Sequence, residues 1–245
     1  MAQALTAPAP VRARGGRAGP SGAVRAGPGP GLGRRGAAGG CRAVAHRRPW
    51  ATAAQQQFRA AGVAYLPAFL PPDDFRAVQR ECTALRRCLK KENNTVAKKR
   101  LGTYIAEESA IYGIFAGPRV HGRLGKVLEG DYWVSEFPME YRVYPVGSSM
   151  DWHLDECLYE EPQYELVYTV TNTSDALTEW REGGLRVGEW TEPNSLLIVR
   201  AESALHRVTP VRKGERSILK VVYTRSDAKL PAFERYAERS YGKKK

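Results

Sequence analysis

The chain has 245 residues, 42% of them hydrophobic, which suffices for a buried core. No apolar run approaches the ~18 to 20 residues that a helix needs to cross a bilayer. The four cysteines, Cys41, Cys82, Cys88 and Cys157, show neither a C-x-x-C pair nor the dense framework of small secreted folds, which fits a reducing compartment. The net charge of +12 invites a nucleic-acid partner, but residues 1–50 hold nine arginines and no acid, so the remainder carries 29 basic against 26 acidic residues, only about +3.

That basic segment comes first in the chain. It also contains 11 glycines, 6 prolines and 12 alanines, a composition that cannot bury enough apolar surface to offset the entropy of ordering a chain. A disordered stretch is expected over residues 1–50. This arginine-rich, acid-free segment, which begins MAQALTAP, resembles an organelle transit peptide, although Thr6 and Ser21 are the only hydroxyl residues among its first fifty. A plastid is the first expected destination, a mitochondrion the second, and a nucleic-acid-binding arm is the third reading.

Residues 51–61 predict a helix, and VAYLPAFL contains a short strand. PPDDFRAVQRECTALRRCLKK has prolines at its start, acids in its first turn and bases in its last, as a helix dipole favours. Phe75, Val78, Cys82, Leu85 and Leu89 recur at steps of three and four, which makes one apolar stripe on a long amphipathic helix. Cys88, six residues beyond Cys82, does not fall cleanly on that stripe with it, and both read as ordinary thiols. A further helix is expected over Pro118 to Leu128, with His121 on it as a solvated or packing residue. Residues 51–130 therefore read as a helical support region.

From Trp133 the pattern changes to short segments rich in β-branched and aromatic residues: MEYRVYPV, YELVYTVTN, GLRVGEW, NSLLIVRA, LHRVTPV and RSILKVVYT. Gly, Pro, Asn and Asp clusters separate them, as in a β-sandwich or barrel. The expected fold is α+β: a double-stranded β-helix, or jelly roll, over residues 131–228, supported by the N-terminal helices and followed by a basic tail, 229–245. The sequence shows no internal repeat.

Within this unit, MDWHLD places His153 and Asp155 two residues apart. Residues i and i+2 of an extended segment point to the same side, so an imidazole and a carboxylate meet at one point while Leu154 faces away. His206, on a distant strand, supplies a third ligand if the roll brings its edge opposite. Two histidines and one carboxylate on one face are the ligand set of non-haem Fe(II) oxygenases. PVRKGE reads as the turn of a hairpin, with Gly214 available for a positive φ, and the even separation of His206 and Arg216 then puts both on one face. A guanidinium behind a metal binds a carboxylate through two parallel hydrogen bonds, as anchoring the far end of a dicarboxylate requires.

Between Tyr141 and Thr224 the chain resembles the Fe(II)- and 2-oxoglutarate-dependent oxygenases, in particular their prolyl 4-hydroxylase-like branch. The resemblance is carried, in family order, by YPVGSSMDWHLDE, Gly183-Gly184-Leu185 and HRVTPVRKGER. It implies that His153, Asp155 and His206 bind Fe(II) and that Arg216 binds the distal carboxylate of 2-oxoglutarate, with ascorbate as reductant. It further implies a hydroxyl partner for that carboxylate, for which Tyr144 and Tyr168 are the candidates. Tyr168 does not fall where the family's tyrosine lies, and Val170 is nearer. Trp152 is read as packing or as lining a substrate mouth, and Glu156 as facing water. The implied reaction is hydroxylation of a C–H bond, of a peptidyl proline or other protein side chain, or else of a small molecule. A nucleic-acid demethylase and a catalytically silent binding module of the same fold are the alternatives.

Overall fold

A computed structural model describes residues 52–92 and 95–239. The expectations for residues 1–50 and for the end of the tail, 240–245, lie outside these. The helices are α1 (Ala53–Ala61), α2 (Pro72–Leu85), α3 (Ala110–Ala116), α4 (Pro118–Leu124) and α5 (Pro231–Arg239). The strands are β1 (Val63–Leu66), β2 (Lys90–Lys91), β3 (Ala97–Lys98), β4 (Leu101–Tyr104), β5 (Trp133–Val134), β6 (Glu140–Tyr144), β7 (Ser149–His153), β8 (Tyr164–Asn172), β9 (Thr178–Glu182), β10 (Leu185–Glu189), β11 (Ser195–Arg200), β12 (His206–Val208) and β13 (Arg216–Thr224). No described helix is long and apolar enough to cross a membrane.

The strands form two antiparallel sheets. The larger runs β1-β11-β8-β13-β6-β4-β2, with β5 also on β13, and the smaller runs β10-β9-β12-β7-β3. Alternation assigns the faces of the larger sheet. Leu166, Tyr168 and Val170 of β8, Leu196 and Ile198 of β11, and Leu219, Val221 and Tyr223 of β13 pack against Phe58 of α1, Val78 and Cys82 of α2, Ile111 and Phe115 of α3, and Val120 and Leu124 of α4. The opposite face, with Val167, Leu197, Val199, Ile218 and Lys220, lines the space between the sheets. Every residue of β13 is buried as a result. At one end of the roll, Phe233 and Ala232 of α5 pack on Phe137, Leu158, Tyr159 and Val222.

Local chemistry sets the element ends. Thr52 caps α1 by accepting from the Gln55 N–H while the Gln55 side chain accepts from the Thr52 N–H, a reciprocal capping box. Gly183 and Gly184, at φ of 56° and 84°, close the β9–β10 hairpin with the two positive-φ residues that such a two-residue loop demands.

The structure departs from the sequence reading in three places. The second helix is shorter than expected: α2 ends at Leu85, Arg86–Cys88 form a single 3₁₀ turn, and the chain then enters β2. Residues 51–130 hold more strand than the one expected in VAYLPAFL, which is β1, since β2 and β4 also extend the larger sheet and β3 the smaller. Most consequentially, β12 and β13 do not form a hairpin. β12 pairs with β7 and β9, whereas β13 pairs with β8 and β6, so residues 209–215 carry the chain from one sheet to the other. Gly214 does adopt a positive φ, 64°, and a Cβ there would lie 2.2 Å from the Thr173 carbonyl oxygen.

Candidate active site

The end of β7 and the start of β12 lie side by side, with His153 and His206 in register across the strand pair. Asp155 follows two residues beyond β7. Its Oδ1 is 3.6 Å from His153 Nε2 and its Oδ2 is 3.5 Å from His206 Nε2, and one potential ligand atom of each residue lies within 4.8 Å of the others. Both imidazoles have a fixed orientation: His153 Nδ1 is 2.8 Å from the Asp151 carbonyl and His206 Nδ1 is 2.9 Å from the Ala204 carbonyl. A carbonyl only accepts, so each Nδ1 carries the proton and each Nε2 presents a lone pair.

Three electron-rich atoms therefore converge with no proton between them. His153 Nε2 is buried and has no hydrogen-bond partner. Burial opposes ionisation of Asp155, and the nearby Lys220 ammonium acts the other way by favouring the carboxylate. The donor set, two neutral imidazoles and one carboxylate on one side of a point, fits a divalent metal with coordination positions left open.

The facing wall belongs to the larger sheet and is charged. Arg100, Arg142, Lys220 and Arg216 all line the same cavity as the three ligands. The first three are neutralised locally: Arg100 by Glu92 at 2.5 Å, Arg142 by Glu140 at 2.7 Å and Glu92 at 3.3 Å, and Lys220 by Glu165 at 2.6 Å. Among the described residues Arg216 has no acidic partner. Its Nη1 donates to Thr178 Oγ1 at 2.7 Å, its Cζ lies 5.9 Å from the Tyr144 ring centre, and its Nε is buried without a hydrogen bond. Burial depresses the Arg216 pKa, and Tyr144 and Tyr65 only partly offset this. A buried cation without a counter-charge is costly, so the position suits an anionic ligand. A dicarboxylate reaching from Arg216 towards the three ligands fits this charge pattern.

The structure thus brings together His153, Asp155, His206, Arg216 and Tyr144. Tyr144 and Arg216 are direct cross-strand partners on β6 and β13. Tyr168 is elsewhere: it points to the helical side, donates to Asn194 Oδ1 at 2.8 Å and packs on Phe115 and Phe69. The physical reason is parity, since Glu165 and Val167 of β8 face the cavity and the even-numbered residues face the helices. Val170 lies on that helical side too. Trp152 does not line the cavity. The guanidinium carbons of Arg181 and Arg207 lie 5.0 and 4.8 Å from the centre of its ring. Glu156 is exposed and pairs with Arg235 of α5, and His121 stacks on Tyr132 at 4.7 Å. Thr178, Arg100 and the paired charges were not anticipated. The paired charges of β6 do leave one sequence signal, a charged residue at alternate positions of an apolar strand, as in Glu140 and Arg142.

No protein-family profile and no curated protein matches the chain. Solved structures do. A prolyl-4-hydroxylase from Pseudomonas putida is 17% identical, with a TM-score of 0.58 over 71% of this chain and 97% of the other. A prolyl hydroxylase from Trichoplax adhaerens, in complex with an oxygen-degradation-domain peptide of hypoxia inducible factor, is 13% identical, with a TM-score of 0.57 over 69% and 87%. HygX from Streptomyces hygroscopicus, with nickel, 2-oxoglutarate and hygromycin B bound, is 9% identical, with a TM-score of 0.55 over 74% and 92%. At these identities the likeness defines the fold: the jelly roll of the Fe(II)/2-oxoglutarate oxygenases, prolyl hydroxylases among them.

Proposed function

We propose that the protein is an Fe(II)- and 2-oxoglutarate-dependent dioxygenase that hydroxylates a C–H bond of its substrate. One observation carries this reading: the converging lone pairs of His153, Asp155 and His206 face, across one cavity, an arginine with no acidic partner. Iron and co-substrate together supply the oxidising chemistry, in which dioxygen and 2-oxoglutarate become succinate and CO2 as the substrate C–H becomes C–OH.

The chain's own contribution is binding and orientation. The carbonyls of Asp151 and Ala204 hold both imidazoles with Nε2 forward, and Asp155 supplies the negative charge of the ligand set. Arg216, steadied by Thr178, receives the distal carboxylate in a site where its charge is unscreened. The apolar side chains of Val167, Leu197, Val199 and Ile218 line the space between these ends and limit the entry of bulk water.

A peptidyl proline is the substrate reading supported by two prolyl hydroxylases among the neighbours. A small polar molecule is the second reading, favoured by the charged wall of Arg142, Glu165 and Lys220 and by the hygromycin B bound in the HygX structure. The test is succinate release from 2-oxoglutarate by the protein with Fe(II) and ascorbate, followed by mass spectrometry of peptide and metabolite libraries. A gain of one oxygen on a prolyl peptide supports the first substrate reading, and the same gain on a metabolite supports the second. Absence of Fe(II)-dependent succinate with every library overturns the oxygenase proposal.

A further inference from the structure

Arg100, Tyr144 and Arg216 form a row across three neighbouring strands. Tyr144 and Arg216 are register partners on β6 and β13. On the other side of β6, Leu101 of β4 pairs with Val143, which sets the preceding residue, Arg100, beside Tyr144. The tyrosine ring is thereby flanked by two guanidinium carbons, Arg100 Cζ at 5.5 Å and Arg216 Cζ at 5.9 Å from its centre. All three side chains line the cavity that holds the three ligand residues.

The two arginines differ in what they are bound to. Arg100 is 1% exposed, its Nε donates to Glu92 Oε2 at 2.6 Å, and its Nη1 donates to the Tyr144 hydroxyl oxygen at 2.9 Å. Its orientation is fixed by the carboxylate behind it, and Arg142 holds that carboxylate in turn. Arg216 has only Thr178. A phenol that accepts from Arg100 must direct its own proton elsewhere. The acceptor it has is the Met150 thioether at 3.8 Å, a weak partner that is given up at little cost.

We propose that Arg100 is a positioning residue for the co-substrate site: by donating to the Tyr144 oxygen it aims the Tyr144 O–H at the carboxylate that Arg216 binds. This rests on the 2-oxoglutarate reading of the site. Glu92 and Arg100 come from the β2–β4 segment that precedes the roll, so that segment acts on the co-substrate through one hydroxyl. Arg100 does not itself touch the bound anion, because its charge is already matched by Glu92.

The test is a double-mutant cycle read by calorimetry of 2-oxoglutarate binding to the Mn(II)-loaded protein, in which no turnover occurs. Arg100→Met and Tyr144→Phe should each weaken 2-oxoglutarate about tenfold, and the double variant should be no weaker than about twentyfold, because both remove the same hydrogen bond. Arg100→Lys keeps a donor and should stay within about threefold of the parent, while the Mn(II) affinity of every variant stays unchanged. If Arg100→Met proves too unstable to purify, the same cycle with Arg100→Gln and Tyr144→Phe gives the coupling. Independent effects that multiply to about a hundredfold, or loss of Mn(II) affinity in parallel with 2-oxoglutarate affinity, would overturn the inference and leave Arg100 a structural residue. A parent protein that binds Mn(II) but takes no 2-oxoglutarate would instead overturn the reading on which the inference rests.

Discussion

The two sheets of the roll divide the work unequally. The larger is covered on both faces, by helices outside and by the cavity residues inside, and all nine residues of β13 are buried. The smaller is covered on one face only: β10 has no buried residue, and Trp152, Arg181 and Arg207 stack on its outer side. Yet the smaller sheet and the loop after β7 carry all three candidate metal ligands, and the larger carries Arg216, the candidate anion site. Stability should thus be concentrated in the larger sheet and metal chemistry in the smaller, with Arg216 the point at which the two meet.

The largest effect expected on stability lies on the helical side of the larger sheet. Phe115 of α3 is fully buried against Tyr168, with ring centres 5.3 Å apart. Phe115→Ala should cost about 3 to 5 kcal/mol of unfolding free energy, measured by denaturant titration, because the cavity it leaves cannot collapse against a closed sheet. A loss below ~1 kcal/mol would mean that the helical layer is loosely attached.

Arg216→Ala comes next and sharpens the division. It should weaken 2-oxoglutarate binding by about 2 to 4 kcal/mol in calorimetry while leaving metal binding intact, since its partners are an anion and Thr178 rather than a ligand residue. The unfolding midpoint should hold or rise, because a buried cation without a counter-charge is removed. Unchanged 2-oxoglutarate affinity would show that another of the cavity's cations holds the anion.

The smallest effect separates packing from binding on one strand. Tyr168→Phe removes the hydrogen bond to Asn194 and should cost about 1 kcal/mol of stability with no change in 2-oxoglutarate affinity. A fall in that affinity would place the β8 hydroxyl in the site after all, against its position on the helical side.

How far the sequence could be read follows from the same division. The meeting of His153 and Asp155 was legible because i and i+2 share a side of any extended segment, and His206 stood in the motif that follows. Arg216 was legible as a residue but not as a route, since a spacing of ten is as compatible with a crossing between sheets as with a hairpin. Tyr168 was misplaced because β8 is buried on both faces, and a strand reading YELVYTVTN then gives little indication of which parity faces the cavity. Arg100 and Glu92 were invisible for another reason. They lie beside strands of two to four residues that have no periodicity of their own and exist only as additions to an edge.

The central claim is that His153, Asp155 and His206 hold one divalent metal, and Asp155 tests it most directly. Asp155→Ala leaves two neutral imidazoles, while the backbone carbonyl of residue 155, which accepts from the Glu202 N–H, stays in place. The measurement is the thermal unfolding midpoint with and without Fe(II) under anaerobic conditions, for the parent and the variant. The parent should be stabilised by the metal, and the variant should keep its circular dichroism spectrum and its metal-free midpoint but lose most of that gain. A parent with no Fe(II)-dependent gain, or a variant that retains all of it, would contradict the metal centre.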